Sequence, residues 1–480
     1  MPSQPVIVWF RRDLRLQDNP ALNEAIRRGS AVVPLYIHCP REQGAWKQGR
    51  ASQWWLHHAL CDLQAQLRQL GLKLVIRSST NSLDSLRELI RETGAASVFW
   101  NRCYEPSIAR RDGQIQQELD AQGVRTESFN GSLLLDPQEI TNKSGKPFQV
   151  FTPFWKHCRA LTPARPETLP IAASPTLDPS PESIESLGLL PAIAWDKGID
   201  AFWTPTRRGG IDLLEQAAAK SARYDTQRDI PAVDGTSRLS PYLHFGQISP
   251  REFFHAVRKG SNHQENADLG MLRQLYWREF SAHLLYHFPH SQDAALKPEY
   301  DLFPWQFHTD HLRAWQRGLT GFPIVDAGMR QLWHTGWMHN RVRMIAGSLL
   351  VKHLLQPWQE GARWFWDTLV DADLANNSMG WQWLAGSGAD ASPYFRIFNP
   401  VIQGKKFDPT GDYVRKWIPE LAKMPDAHIH TPWDAPPLEL AAADVTLGKD
   451  YPHPLISHSD GRQRALDAYA QYKLQIANSK

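Results

Sequence analysis

The sequence has few cysteines, no long apolar run and almost no excess of charge, and each absence excludes a class of protein. Its four cysteines (Cys39, Cys61, Cys103 and Cys158) form no CxxC pair and have no histidine at metal-ligand spacing, so neither a disulfide framework nor a zinc site is predicted. No apolar run reaches the roughly 18 residues of a membrane span. The N-terminal MPSQPVIVWFRRDLRL places its apolar residues before its arginines, the reverse of a signal peptide. These absences predict a cytoplasmic protein with reduced thiols.

Nucleotide-binding signatures and bulk positive charge are also missing. No GxGxxG follows the first predicted strand and GxxxxGK[ST] does not occur, so the dinucleotide fingerprint and the P-loop are both absent. Lys and Arg number 53 against 50 Asp and Glu, so any surface for nucleic acid must be a local patch. The chain does have 20 tryptophans, a residue usually found in cores and interfaces. A stacking or redox role for any of them has to be argued individually.

Hydrophobic patterning divides the 480 residues into three parts. In residues 1–132 the apolar runs PVIVWF, AVVPLYIH, LKLVIRS and ASVFWNR are typical of buried strands, with amphipathic helices between them. This alternation predicts a doubly wound α/β domain with a parallel sheet. Residues 133–205 are predicted to be a Pro-rich connector, with seven prolines between positions 163 and 191. Residues 206–480 have helical spacing almost throughout, which predicts an all-α domain.

The segment RDIPAVDGTSRLSPYLHFGQISP (228–250) contains a candidate phosphate site. Thr236, Ser237 and Arg238 offer hydroxyls, backbone N–H groups and a guanidinium just before a predicted helix start, a grouping that can hold a diphosphate. Taken alone, it is equally typical of a plain helix cap with a surface arginine.

Two further segments place polar and aromatic residues at helical spacing. In WMHNRVRM (337–344), Asn340 and Met344 are four residues apart and share a face, whereas Arg343 points elsewhere. The alternative here is a helix with solvated arginines. In DADLANNSMGWQWLAG (371–386), Trp381 and Trp383 are two residues apart and point roughly 200° away from each other. These two indoles are therefore predicted to lie in two different environments.

Taken together, five segments resemble the photolyase and cryptochrome family: DGTSRLSPYLHFG, LTGFPIVDAGMRQL, GWMHNRVRM, DADLANNSMGWQW and ADASPYFRIFNP. VWFRRDLRLQDNPAL at the N-terminus extends the resemblance to essentially the whole chain, and within the family it is strongest to bacterial cyclobutane pyrimidine dimer (CPD) photolyases. The resemblance implies a flavoprotein that binds FAD in the helical domain and acts on UV-damaged DNA.

The resemblance also implies a flavin site. Its phosphate- and ribityl-binding segment corresponds to Tyr224, Thr236, Ser237, Arg238, Leu239 and Ser240. Asp371 and Asp373 match positions that border the isoalloxazine and the adenine, and Arg343 matches the partner of Asp371 in an ion pair over the ring. Asn377 matches the residue that faces flavin N5, where an amide can adapt to the protonation of the ring.

Roles for tryptophans and for DNA contacts follow from the same resemblance. Trp305, Trp358 and Trp381 match the indoles that carry an electron from the surface to the photoexcited flavin; we name these three the tryptophan relay. The walls of the pocket that receives a flipped-out dimer match Trp277, Asn340, Arg341, Met344 and Trp383, and the DNA-backbone contact matches Arg396, Gln403 and Lys406. The implied reaction is light-driven opening of the cyclobutane ring by an electron from reduced FAD.

Two positions depart from the family pattern. Where dimer-repairing relatives have a glutamate against the pyrimidine, this chain has Gln274, whose amide donates and accepts hydrogen bonds but supplies no proton; Glu279 is no obvious substitute. Where one folate-binding subgroup has Asn-Glu, the chain has Ser107 and Ile108. ASQWWLHH (51–58) resembles a subgroup that holds its antenna in another cleft. The identity of the antenna stays open, with methenyltetrahydrofolate favoured over a deazaflavin.

Two alternative functions remain. The first is a cryptochrome, which would signal through a partner and repair nothing. Gln274 favours this alternative. The absence of a long extension after RALDAYAQYKLQ, and an asparagine rather than an aspartate at position 377, favour repair. The second alternative is a flavin-free, Trp-rich helical protein that binds nucleic acid. A monomer that binds UV-damaged DNA and no membrane is expected.

Overall fold

The structure is a computed structural model that describes residues 4–171, 182–260, 269–391, 393–394 and 396–478. Three prolines of the predicted connector, at positions 175, 179 and 181, lie outside the described residues. The chain forms two compact units, one of residues 1–222, 237–289 and 370–375, the other of residues 223–236, 290–369 and 376–480. The predicted domain boundaries near 132 and 205 stay predictions. Among the helices described, none combines the length and the apolar character that crossing a membrane requires.

A five-stranded parallel sheet forms the core of the first unit. Its strands are β1 (Val6–Phe10), β2 (Val32–His38), β3 (Val75–Ser78), β4 (Ser97–Asn101) and β5 (Arg125–Phe129), in the order β3-β2-β1-β4-β5. The four predicted apolar runs all contain strands: β1, β2 and β4 are buried almost throughout, whereas the edge strand β3 is buried only at Val75 and Ile76. In register, Val6 lies between Val32 and Ser97. The prediction of a parallel α/β domain followed by a helical domain is confirmed.

Helices connect the strands and continue beyond the sheet in the same unit. They are α1 (Pro20–Arg27), α2 (Arg50–Gln69), α3 (Ser82–Thr93), α4 (Pro106–Ala121), α5 (Phe151–Cys158), α6 (Lys197–Phe202), α7 (Arg207–Lys220), α9 (Ser240–His244), α10 (Pro250–Gly260) and α11 (Leu269–His287). Asn19 caps α1 by accepting from Leu22 N, and Asn81 caps α3 by accepting from Leu83 N.

A buried polar network lies just beyond the carboxyl ends of β1 and β4. Asn101 Nδ2 donates to Asp13 Oδ2 (2.6 Å) and to Asn19 Oδ1 (2.7 Å), and these three side chains are at most 3% exposed. Gly131 packs so closely that a Cβ there would lie 2.5 Å from Asn101 Cγ. The network therefore fills the position where neighbouring strands lead off in opposite directions.

The second unit is helical. Its helices are α8 (Tyr224–Gln227), α12 (Thr309–Gln316), α13 (Pro323–Thr335), α14 (Asn340–Ser348), α15 (Trp358–Thr368), α16 (Leu374–Ala385, whose first two residues belong to the first unit), α17 (Pro400–Phe407), α18 (Asp412–Trp417), α19 (Pro437–Ala442) and α20 (His458–Asn478). Within the part predicted to be helical, the run NRVRMIAGSLLVKHLL passes from α14 into a π-helical turn at Leu349–His353. That turn buries Lys352 against the ring of Tyr394, and burial lowers the pKa of the lysine.

Candidate functional site

The predicted phosphate-binding segment lies at the start of α9. Ser240 Oγ donates to Asp371 Oδ2 at 2.6 Å, so two predicted flavin residues 131 positions apart meet in the first unit. Leu239 N lies 3.4 Å from Ser237 Oγ, and Leu239 is fully buried. Arg238 has a φ of 51°, a left-handed conformation that turns the chain sharply before the helix. Hydroxyls, a guanidinium and a helix start thus lie within four residues.

Asp373 has a neighbour that sequence reasoning missed. His244 Nδ1 lies 3.4 Å from Asp373 Oδ2, and both residues line a small cavity of about 40 Å³ in the first unit. Burial lowers the pKa of His244, so the imidazole is neutral at pH 7. His244 lies inside the quoted motif LSPYLHFG, four residues after Ser240, which is the signal that could have identified it.

The other end of the predicted segment belongs to the second unit. Tyr224 is buried, and burial raises the pKa of its phenol to about 12. Thr236 is half-buried. Between them, a Cβ on Gly235 would lie 2.7 Å from the backbone oxygen of Gln227, so only glycine permits the loop to pack this closely on α8.

Asn377 and Trp381 occupy the inner part of α16. Asn377 Nδ2 donates to Ala362 O at 2.9 Å. The Trp381 indole is 3% exposed and packs against the rings of Phe365 (5.0 Å between centroids) and Trp315 (6.0 Å). A Cβ on Gly361 would lie 2.1 Å from Trp381 Cη2. Gly361 therefore provides the space that the indole fills on α15.

The remaining two residues of the predicted relay lie along the same part of the second unit. Trp358 is the first residue of α15, one turn before Gly361, and is buried. Trp305 is half-buried and packs on Phe303 with 4.4 Å between ring centroids. Gln306 N donates to Leu355 O (2.8 Å), which places Trp305 beside the segment that leads into Trp358. Trp305 is the most exposed of the three, and their role as a relay stays a prediction.

Trp315 is an aromatic neighbour of Trp381 that the sequence did not single out. It is fully buried in α12, and its Nε1 donates to Ala346 O at 2.9 Å. Its segment HLRAWQRG is an ordinary amphipathic pattern, so no sequence signal separates it from a core tryptophan.

Six of the eight residues predicted to contact DNA or the dimer line one cavity of about 630 Å³ in the second unit: Arg341, Met344, Trp383, Arg396, Gln403 and Lys406. We name it the basic cavity. Asp229, Ile397, Phe398, Asn399, Ile402 and Phe407 complete its lining. Trp383 is half-buried here, so the two indoles of WQW do lie in two environments.

Asn340 and Arg343 lie on α14 but do not belong to the lining of this cavity. Asn340 is exposed, and its Nδ2 lies 4.0 Å from Met344 Sδ, as their spacing predicts. Arg343 points elsewhere, and its Nε donates to Met338 O at 2.8 Å. Its predicted ion pair with Asp371 joins residues of different units and stays a prediction.

Trp277 and Gln274 belong to the first unit, on α11. The Trp277 ring stacks on Phe151, with 3.5 Å between centroids and 7° between planes. Gln274 is half-buried, and its Nε2 donates to Gly270 O one turn back in its own helix (3.2 Å). The roles predicted for both residues against the dimer stay predictions.

Glu279, on the same helix, binds backbone N–H groups. Its Oε2 accepts from Leu134 N (2.9 Å) and Leu135 N (3.2 Å), and burial raises its pKa to about 7. The carboxyl therefore anchors the chain near residue 134 and does not replace the acid missing at Gln274.

Comparison with known proteins agrees with this arrangement. Residues 6–174 match the DNA photolyase family, and residues 271–471 match the FAD binding domain of DNA photolyase. A deoxyribodipyrimidine photo-lyase of Agrobacterium fabrum is 46% identical over 478 residues, covering 98% of this chain and 99% of the relative. Cryptochrome-1 of Arabidopsis thaliana is 39% identical over 494 residues, covering 98% of this chain and 71% of the relative.

A solved structure is similar over the same length. The crystal structure of a bacterial class III photolyase from Agrobacterium tumefaciens superposes with a TM-score of 0.94 at 45% identity, covering 98% of both chains. The chain belongs to the photolyase/cryptochrome family and carries that family's FAD-binding domain.

Proposed function

We propose that this protein is a deoxyribodipyrimidine photo-lyase, a carbon–carbon lyase that splits cyclobutane pyrimidine dimers in UV-damaged DNA under blue light. The observation that carries the proposal is the basic cavity, where an indole and a thioether lie beside two guanidiniums and an ammonium. A dimer extruded from the duplex presents flat apolar faces next to phosphates, and this lining offers a partner to each.

The residues of the predicted flavin site suit FAD. Ser237 supplies a hydroxyl and Arg238 a fixed positive charge, two donors that suit a diphosphate, whereas the Ser240 hydroxyl already donates its one proton to Asp371. Asp371, already accepting from Ser240, is placed to hold that hydroxyl in one orientation. When bound, reduced and excited by blue light, FAD supplies the electron that opens the cyclobutane ring. The protein binds the lesion, orients it and keeps water away.

We propose that the tryptophan relay returns oxidised FAD to its active reduced state. Indole is the side chain best suited to give up an electron at a distance, and burial of Trp358 and Trp381 fixes their positions. Trp305 is the half-buried member, so an external reductant meets the relay there. Asn377 is assigned to the flavin ring, with its side chain oriented by the bond to Ala362 O.

The antenna proposal rests on the resemblance alone, with methenyltetrahydrofolate ahead of a deazaflavin. In ASQWWLHH, Trp55 is a core residue: it is fully buried, and its Nε1 donates to Gln247 Oε1 at 2.8 Å. Trp54 packs on His58, with 4.5 Å between ring centroids. Any antenna contact from this helix therefore falls to its less buried side chains.

The second candidate is a cryptochrome-type photoreceptor with little or no repair. The specific observation in its favour is Gln274, which lacks the proton-donating group of the repairing relatives and donates to its own helix. The 39% identity to a cryptochrome over nearly the whole chain also supports this candidate.

Photorepair of an oligonucleotide that carries a single thymine dimer separates the two. We expect flavin-loaded protein with reductant to restore intact thymines under blue light and to restore none in the dark. If the flavin is bound and reduced, yet no thymines are restored in the light, the lyase proposal fails.

A further inference from the structure

One acid lies among the cations of the basic cavity. The charged residues of its lining are Arg341, Arg396, Lys406 and Asp229. A carboxylate disfavours phosphate, so its presence in a cavity for DNA needs a reason. We propose that Asp229 is a specificity-determining residue, which withholds Arg341 from backbone phosphates and thereby disfavours undamaged DNA. The inference rests on the proposed function, because it assigns this cavity to DNA.

The contacts of Arg341 hold its guanidinium in one orientation. Its Nη2 lies 2.9 Å from Asp229 Oδ1, and its Cζ lies 4.5 Å from the ring centroid of Phe407. Its Nη1 lies 3.9 Å from Met344 Sδ. Because an ion pair, an aromatic face and a thioether fix three sides, the arginine is oriented before DNA arrives.

Asp229 also faces a second arginine. Arg228 Nε lies 3.8 Å from Asp229 Oδ1, while the Arg228 guanidinium sits over the ring of Tyr224. His339, whose Nδ1 accepts from Arg341 N at 3.2 Å, has its pKa lowered to about 4 by burial and is neutral at pH 7. The one carboxylate is thus shared by two guanidiniums.

The ion pair between Arg341 and Asp229 responds differently to undamaged DNA and to DNA with a flipped-out dimer. An undamaged duplex offers phosphates; to bind one, Arg341 must leave Asp229, and the carboxylate then lies beside the incoming negative charge. A flipped pyrimidine offers neutral carbonyl oxygens, to which the remaining N–H groups of Arg341 can donate while the ion pair stays intact. Asp229 therefore acts against the phosphate-only mode, as a repulsive element that selects the lesion.

The test is Asp229→Asn in flavin-loaded protein, kept in the dark and titrated with matched duplexes with and without one thymine dimer. We expect affinity for the undamaged duplex to rise roughly fivefold at low salt. The slope of log K against log salt should steepen by about one unit, because Arg341 gains a phosphate contact. Affinity for the damaged duplex should rise less, so the lesion preference falls.

Asp225→Asn is the matched control. Asp225 is an exposed residue of α8 that makes the same change in net charge outside the cavity lining. We expect it to leave the undamaged-DNA affinity and the salt slope close to the parent values. The double variant Asp229→Asn with Arg341→Gln tests whether Asp229 acts through Arg341. Without Arg341, the change at Asp229 should lose its effect on the salt slope.

Three results would overturn the inference. The first is an undamaged-DNA affinity no higher in Asp229→Asn than in Asp225→Asn. The second is equal weakening for both duplexes, which would make Asp229 a structural support. The third is an unchanged salt slope. The undamaged-duplex measurement needs neither light nor a lesion, so it judges Asp229 even if photorepair fails, whereas failed photorepair counts only against the lyase proposal.

Discussion

Trp381 and Trp383 are two residues apart on one helix and lie in opposite kinds of surroundings. Trp381 fits against Gly361 and touches the rings of Phe365 and Trp315, with almost no exposed surface. Trp383 opens onto the basic cavity with Arg341 and Lys406. One residue type therefore has two kinds of surroundings: an indole fixed in an apolar site suits the electron transfer proposed for Trp381, and an indole facing a cationic cavity suits the stacking proposed for Trp383.

The strongest way to break this comparison is Trp381→Phe. Phenylalanine fills most of the space but is much harder to oxidise, so we expect photoreduction of oxidised flavin to slow at least tenfold, equivalent to about 1.4 kcal/mol in the barrier. Flavin content should not change, and chemically pre-reduced protein should still repair. The measurement is bleaching of the oxidised flavin band under blue light with reductant. Bleaching at the parent rate would remove Trp381 from the relay.

The second change, Trp383→Ala, should act only on the substrate side. Loss of one stacking partner weakens binding to the dimer-containing duplex by about 1–3 kcal/mol, with flavin photoreduction unchanged. Trp333→Ala is its control, because Trp333 is 61% exposed, stacks on Trp364 and is not part of the cavity lining. If both variants bind the lesion equally well, Trp383 is not a wall of the dimer pocket.

A smaller change tests the space that Trp381 fills. Gly361→Ala places a Cβ 2.1 Å from Trp381 Cη2, so the indole or α15 must move. We expect a loss of about 1–3 kcal/mol in unfolding free energy from overpacking, with slower photoreduction because the indole is displaced.

Gly380→Ala is the matched control for this change. It lies in α16 beside Trp381, and a Cβ there meets nothing within 4 Å. Alanine in an open helical position stabilises by roughly 0.5–1 kcal/mol, so the two variants should shift thermal unfolding in opposite directions. A Gly361→Ala variant that unfolds at or above the temperature of the parent would show that Gly361 is not a close-packed site.

The smallest effect is expected from Gln274→Glu. The volume is nearly unchanged, and in a partly desolvated pocket the pKa of the new carboxyl rises, which favours the neutral form that can donate a hydrogen bond to the dimer. Because the present amide can already donate, the quantum yield of repair should rise by less than about twofold. The measurement is products per absorbed photon at equal flavin content. An equal or lower yield would show that Gln274 either fully replaces the acid by hydrogen bonding or does not contact the dimer.

Most of the sheet could be predicted from the sequence, and the exception has a physical reason. β1, β2 and β4 carry apolar runs because both faces are covered. Of the two edge strands, β3 keeps a short buried run, whereas β5 (RTESF) has polar, mostly partly exposed side chains and no apolar run. The π-helical turn at Leu349–His353 was also missed. Local spacing does not distinguish it from a continuous helix, since the difference lies in backbone hydrogen bonding.

The site was predictable where residues lie within one motif, and much less where they meet across the chain. The Asn340–Met344 contact follows from helical spacing alone. Asp229 stands within RDIPAVDG, yet nothing local relates it to Arg341, 112 positions later. Convergence of Arg341 with Lys406 on one cavity likewise depends on tertiary packing, which local patterns do not contain.

The buried network of Asp13, Asn19 and Asn101 has a consequence for the sheet domain as a whole. In doubly wound proteins, small molecules usually enter the crevice where the strand order reverses, here between β1 and β4. The three side chains occupy this crevice, and Gly131 packs closely against Asn101. A ring system would have to unmake several buried hydrogen bonds to enter. The domain has a doubly wound fold, but buried side chains occupy the crevice in which such folds usually bind a ligand.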